Sequence, residues 1–408
     1  MAEKTISVRT ALMPAYYKDF HCIMGACQDN CCDDGWKIEF SKKDYLTVKR
    51  AAQSEELKTM VKQGMYRLRE QEHDGMYAEF RINEAGRCAF HTAEGLCALQ
   101  VECGAEVLPQ VCRQYPRHIF YTAAAKEYSL VPSCEGVLAL LWDLPGGIDF
   151  IEEPLHPSEV RYAHPRSSAE ARFASIRAVC IDALQTRTLK LPQRLLLLGL
   201  LLQQLRETDW TCADAVDAWA LRAEALLQDP SIPAELDAFP QNKRMFLLNN
   251  YKVLSLIKEG VGERQVSLFQ DLQTSFFPSA PDEESGQVSF RMGGYRLLEE
   301  KLAELLDPSD YFFENLMVSV AFYLHVPDLS NPEDMWKSYV NLCNLYSFFR
   351  FAAVCAMEKE VSRARLFHIL GVSSRSLLHN HARQDLLRDE FFENDSATLA
   401  HMAILLGG

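Results

Sequence analysis

Nine of the 13 cysteines lie between Cys22 and Cys134, and this grouping is the chain's most evident chemical equipment. Cys22, Cys27, Cys31 and Cys32 form one group, Cys88 and Cys97 bracket His91 in a second, and Cys103, Cys112 and Cys134 follow singly. Thiolates paired at short separations across turn-forming residues can converge on one centre, and several such pairs folded together complete a tetrahedral set. Spacing does not separate zinc from an iron–sulfur cluster, because both accept all-thiolate sites. Nine thiols supply one four-thiolate site with spares, or two with one left over. The adjacent Cys31 and Cys32 diverge from either a helical or an extended backbone, so they do not suit a single ion. A bound metal is therefore expected, with a zinc-stapled scaffold that performs no chemistry as the plainer form of it.

Arg113 and Arg117 flank Cys112 in the run Cys112-Arg113-Gln114-Tyr115-Pro116-Arg117. Guanidinium groups there either offset thiolate charge or take a ligand carboxylate in a bidentate pair. Two familiar frameworks fail. A radical-type adenosylmethionine enzyme has Cys-x3-Cys-x2-Cys, but after Cys27 and Cys31 the required position is Asp34. A dinucleotide-type fold has a glycine-rich turn between strand and helix, whereas Gly260-Val261-Gly262 follows a helical pattern and lacks the third glycine. Tyr16, Tyr17 and Trp36 either cage a methylated ammonium or anchor the core around the loops. His21 and His91 stand beside cysteines as substitute ligands or as polar loop residues, and His379 and His381 read as a helix end or surface. Asp33, Asp34 and Glu135 are carboxylates that would attract a lysine while keeping it protonated.

The elements that must position these residues fall into two parts. Residues 1–165 carry the cysteine groups, whose segments have little periodicity and read as loops and short turns. Within them Lys42 to Glu72 has helical spacing, and Met76 to Ile82 alternates as a short strand that turns at Asn83–Gly86. A connector from Leu144 to Pro165, with four prolines, leads into residues 166–408. There almost every segment is helical in pattern: Ala169–Gln185, Pro192–Glu207, Ala213–Gln228, Asn242–Glu259, Gly294–Leu306, Tyr311–Leu324, Met335–Lys359 and Ser362–Leu370. Asp209, Asp307 and Ser362 sit where caps belong. Cys180, Cys212, Cys343 and Cys355 lie in apolar helical patterns and read as small core residues. The expected fold is mainly α: a Cys-rich metal-binding N-terminal domain with little regular structure, followed by an all-α helical domain.

The chain has 408 residues and a net charge of −14, enough length for a sizeable core and too acidic for general binding to a phosphate backbone. No nucleic-acid partner is expected, and a lysine-bearing partner suits the charge better. The first residues, Met1-Ala2-Glu3-Lys4-Thr5, lead into no apolar signal segment. The longest apolar run, Leu195 to Leu202, falls far short of the ~20 residues that span a bilayer. The expectation is a cytoplasmic protein without membrane insertion, in which thiols stay reduced.

Taken together, Cys22-x4-Cys27-x3-Cys31-Cys32 followed by Gly35-Trp36, the Cys88…Cys97 pair, Cys112-Arg113-x-Tyr115-Pro116-Arg117 and Ser133-Cys134 resemble the flagellin lysine-N-methylases. The Cys-rich portion is also similar to small zinc- or iron-chelating Cys-cluster domains. Phe312–Val318 and Ser374–Asn380 look like the family's helical segments, so the resemblance covers most of the chain. It implies methyl transfer from S-adenosylmethionine to surface lysines of flagellin, and a [4Fe–4S] cluster, with zinc as the alternative. The ligands it implies are drawn from Cys22, Cys27, Cys31, Cys32, Cys88, Cys97, Cys112 and Cys134, with Cys103 fitting least well. Arg113, Tyr115 and Arg117 are the expected contacts of the methyl donor. The competing expectation is a zinc-stabilised, non-catalytic module that binds flagellin.

Overall fold

The computed structural model describes residues 5–32, 37–68, 76–84, 86–239, 241–258, 268–270, 272 and 291–407. Its described strands all lie ahead of residue 164. They are β1 (Ile6–Val8), β2 (Thr10–Pro14), β3 (Glu39–Phe40), β4 (Met65–Arg67), β5 (Ala78–Phe80), β6 (Arg117–Tyr121), β7 (Lys126–Leu130), β8 (Phe150–Pro154) and β9 (Arg161–Ala163). Three sheets result, ordered β1-β9, β6-β7-β2-β8 and β3-β5-β4. In the second, β2 runs parallel to β7 and antiparallel to β8, which ties the chain's first residues to the connector.

The fold expectation holds for the helical content and is corrected for the N-terminal part, which has ordered strands and helices rather than little regular structure. Cysteine loops lack periodicity, but the segments between them carry enough apolar residues for a core of their own. Ile38, Phe40, Val48, Leu57, Val61, Phe80, Phe90 and Leu99 form it, and Cys88 is packed among them. The helical spacing read from Lys42 onward resolves into Lys42–Ala51, capped by Ser41, and Glu55–Gly64, capped by Ser54. The chain then enters β4, and Glu72 lies outside the described residues. Gly64 ends its helix against Ala89, whose Cβ leaves no room for a side chain there.

From Ser168 to Leu406 every regular element among the described residues is helical. The 25-residue helix Pro332–Ala356 is central, started by Asn331, whose side chain accepts from the amides of Glu333 and Asp334. Against it pack Leu191–Arg206, Met292–Leu306, Arg363–Leu378 and Leu399–Leu406. The Leu195–Leu202 run is almost wholly buried there. Cys180, Cys343 and Cys355 are buried as expected, whereas Cys212 is exposed at the N-cap of Ala213–Leu227. Gly260, Gly262 and the Pro278–Pro281 stretch lie outside the described residues. Among the described residues no helix is long and apolar enough to cross a membrane.

One large core draws on both sides of residue 165, including Tyr16, Phe20, Leu130 and Leu138 with Ile176, Leu201, Phe312 and Leu370. Polar contacts cross the same boundary. Tyr16 Oη pairs with Ser319 at 2.9 Å, and Arg177 donates bidentately to Glu127 at 2.7 and 2.6 Å with both side chains buried. Asn315 donates to the carbonyls of Leu141 and Leu144 at 2.8 and 2.9 Å.

Candidate functional site

The four cysteines of the first group sit in the irregular segment after Phe20, and two clamps fix its path. Glu135 accepts from the backbone amides of Gln28 and Asp29 at 3.0 and 3.1 Å. Arg375 reaches from Arg363–Leu378 to pair with the Asp29 carboxylate at 3.0 Å and to donate to the Asp29 carbonyl at 3.0 Å. All three side chains are buried, so this anchorage is far stronger than a surface pair. Glu135 is thus occupied in holding backbone, and burial raises its pKa above the usual carboxylate value.

Arg363–Leu378 runs eight residues beyond the Leu370 end expected from periodicity. Ser373, Ser374 and Ser376 are poor helix formers, yet all are buried, and packing overrides their propensity. A Cβ on Gly371 would sit 3.4 Å from the Ser133 carbonyl oxygen, so this helix presses directly on the turn before Cys134. Arg375 and His379 follow Gly371 at four-residue steps and share its face.

Between the clamped segment, residues 95–112 and the loop ahead of β6 lies a cavity of about 350 Å³. Cys22, Cys27, Cys31, Cys32, Cys97, Cys112 and Cys134 line it, as do Tyr115, Arg117 and Ser133. Cys88 is buried behind the wall, and Cys103 stands apart with its thiol donating to the Ala51 carbonyl at 3.5 Å. The thiols influence one another. Burial first, then neighbouring Cys134, pushes the Cys27 thiol up, while a hydrogen bond with Cys31 and then burial do the same for Cys32. Burial carries Cys88 and Cys134 to about 11.

The metal expectation is corrected here. Among the described residues no group of three or more His, Cys, Asp or Glu side chains is placed to hold a metal ion. Cys22, Cys27, Cys31, Cys32, Cys88, Cys97, Cys112 and Cys134 therefore form neither a [4Fe–4S] nor a zinc site. Short spacing brought the thiols to one cavity but spread them along different walls. Cys97 and Cys134 are N-cap residues of two separate helices, and Cys112 belongs to a third, Gln110–Gln114. The donor set does not fit the group, and no step below passes through one.

The other expected residues divide. Arg113 lines the cavity, but its guanidinium is partly exposed and donates to the Glu106 carbonyl at 3.2 Å. Arg117 opens β6, with its guanidinium 5.0 Å from the Phe20 ring centroid. Tyr16 is a core anchor and His21 lies on the cavity wall. His91 Nε2 meets Asn30 at 3.1 Å. Asp33, Asp34 and Trp36 lie outside the described residues.

His379, read from the sequence as a helix end or surface, is the exposed C-cap of Arg363–Leu378, and what the sequence did not show is its contact with Ser133. Tyr115 Oη and Ser133 Oγ are 2.9 Å apart, and Ser133 Oγ is 2.8 Å from His379 Nε2. Tyr115 also lines a second cavity, of about 410 Å³, whose wall includes His379. The only sequence signal was a histidine one helical step beyond a buried arginine, too weak to single it out.

Residues 177–405 match the family described as FliB lysine N-methylase C-terminal domain, a span that includes Arg375 and His379. The chain is 26% identical over 192 residues to a "Lysine-N-methylase" of Salmonella choleraesuis, covering 41% of this chain and 46% of that protein. It is 27% identical over 191 residues to a "Lysine-N-methylase" of Salmonella typhimurium, with the same coverages of 41% and 46%. It is 31% identical over 112 residues to the "Flagellar biosynthetic protein FliU" of Salmonella muenchen, covering 26% of this chain and 62% of that protein. The chain thus spans about half the length of the two methylases it matches. No solved structure matches it. With more than half of its residues inside the matched domain, the chain belongs to the FliB lysine N-methylase family.

Proposed function

We propose that this chain is a protein-lysine N-methyltransferase that moves methyl groups from S-adenosylmethionine to lysines on flagellin, acting in the cytoplasm before the substrate is exported. The observation that carries the reading is a cavity walled by residues 20–135 and held from outside by the family domain: Arg375 anchors Asp29 on its wall, and His379 meets Ser133 from the neighbouring cavity. The division at 165/166 serves in this proposal as a division of labour, with the first part enclosing the methyl donor and the second shaping the site and meeting the protein.

The methyl donor supplies an electrophilic sulfonium carbon and carries an amino-acid carboxylate. Arg117 and Arg113 are the cations on the cavity wall that suit this carboxylate, and Tyr115 offers a ring and a hydroxyl beside them. The lysine nitrogen attacks only as the free amine, so the cavity must desolvate it or accept its proton. A net charge of −14 favours encounter with a lysine-rich surface and helps orient it.

The test is transfer of a labelled methyl group from S-adenosylmethionine to purified flagellin by the isolated protein. Label in lysine side chains supports the reading. Flagellin that binds but acquires no label overturns it in favour of a non-catalytic binding module.

A further inference from the structure

We propose that Tyr115, Ser133 and His379 form a proton relay that deprotonates the substrate lysine, with His379 as the terminal acceptor; the inference deepens the methyltransferase reading and rests on it. The lysine N–H bond breaks and its electron pair stays on nitrogen. The proton passes to Tyr115 Oη, the phenolic proton to Ser133 Oγ, and the serine proton to Nε2 of a neutral His379. One proton has then moved from ammonium to imidazole, and both hydroxyls are restored.

Geometry supports the two links within the protein. The two oxygen–oxygen and oxygen–nitrogen separations, 2.9 and 2.8 Å, lie within ordinary hydrogen-bond range. Tyr115 and Ser133 line the thiol-walled cavity, and His379 lines the neighbouring one and is exposed, so a proton entering inside can leave to water. The imidazole also occupies the C-cap of the 16-residue helix Arg363–Leu378. The carbonyl end of a helix favours a cation, which assists protonation there. Burial holds the Tyr115 phenol well above its usual value, so the phenol conducts a proton and does not act as a resident base.

Competing acceptors in the cavity are engaged elsewhere. Asp29 is paired with Arg375, and Glu135 accepts two backbone amides. Around His379, Tyr115 faces the ring with centroids 6.2 Å apart. Glu39, Asp44, Arg117, His118 and Tyr323 line the same outer cavity, and Arg383 caps the Ser376 carbonyl one turn back. Asp44 accepts from Ser41 at 2.8 Å.

An ordinary lysine titrates about four pH units above an ordinary imidazole, so a relay matters only in a cavity that also destabilises the ammonium. General-base assistance of this kind contributes about 10²- to 10⁴-fold. The experiment compares wild type, His379→Gln, His379→Ala and, as a control, the exposed His164→Gln in steady-state methyl transfer to flagellin, with and without added imidazole. The expected result is a kcat lowered about 10²-fold in both His379 variants. KM for flagellin stays within about twofold, since uniform binding is untouched. Imidazole restores activity to His379→Ala alone, which a misfolded variant would not show. A His379→Gln enzyme at wild-type kcat, loss confined to KM, absence of rescue, or a His164→Gln loss of the same size overturns the relay while leaving the methyltransferase standing. Absence of transfer by wild type overturns both.

Discussion

Ser133 and His379 are 246 positions apart in the chain and 2.8 Å apart in space. At Gly371 the helix lies against the Ser133 carbonyl, and His379 follows two four-residue steps later on that face. Ser133→Ala should remove the bridging hydroxyl with a stability loss of about 1 kcal/mol. Methyl transfer should fall about 10²-fold. Thermal unfolding and label incorporation measured on one preparation separate the two effects, and full activity in this variant would show that the hydroxyl conducts nothing.

Arg375→Met strands the Asp29 carboxylate in a buried site. Removing one partner of a buried pair typically costs about 3–5 kcal/mol. The segment around Cys27 to Cys31 should also become accessible to a protease. Urea denaturation checks the first effect and limited proteolysis the second; a midpoint equal to wild type would mean that the clamp carries no strength.

At Gly199 an added Cβ would collide with the Tyr339 hydroxyl, where Leu191–Arg206 crosses Pro332–Ala356. Gly199→Ala should destabilise by about 1–3 kcal/mol or more, despite alanine's better helix propensity, because the fully buried Tyr339 has little room to yield. A melting temperature at or above wild type would refute this close approach.

His325 predicts acid sensitivity. Burial, with help from the Arg177 guanidinium and His118, lowers its pKa from 6.5 to about 3. Glu127 lies 3.7 Å from the ring, but its carboxylate already accepts both Arg177 nitrogens. The unfolded chain binds a proton that the native state refuses, so this stability is complete above pH 6.5 and is lost as the pH falls towards 3. The slope contributed is at most about 1.4 kcal/mol per pH unit. His325→Asn keeps a residue tolerant of the local positive φ of 56° and should flatten the dependence between pH 7 and pH 5. Denaturant midpoints at the two values test it, and an unchanged slope would assign the acid loss to other groups.

The helical half was legible because its apolar runs and caps mark helices: Pro192, Ser362 and the long leucine run mark helix starts within a residue or two of where the sequence places them, although Arg363–Leu378 runs on past its expected end. Seven of the nine grouped cysteines line one cavity. Whether thiols meet at a point or face one another across a space depends on the paths of helices and loops that spacing does not encode, and here they spread along its walls. β5 lies inside the alternating Met76–Ile82, whereas β3 and β4 escaped notice because each is two or three residues long, too short for alternation to show. Arg375 and His379 belong with the cavity only through packing, since four-residue steps define a helix face but not what that face meets. Local chemistry and helical periodicity were thus written in the sequence by itself, while the pairing of Asp29 with Arg375 and of Ser133 with His379 was decided by tertiary structure, where close approach at Gly371 joins segments hundreds of residues apart.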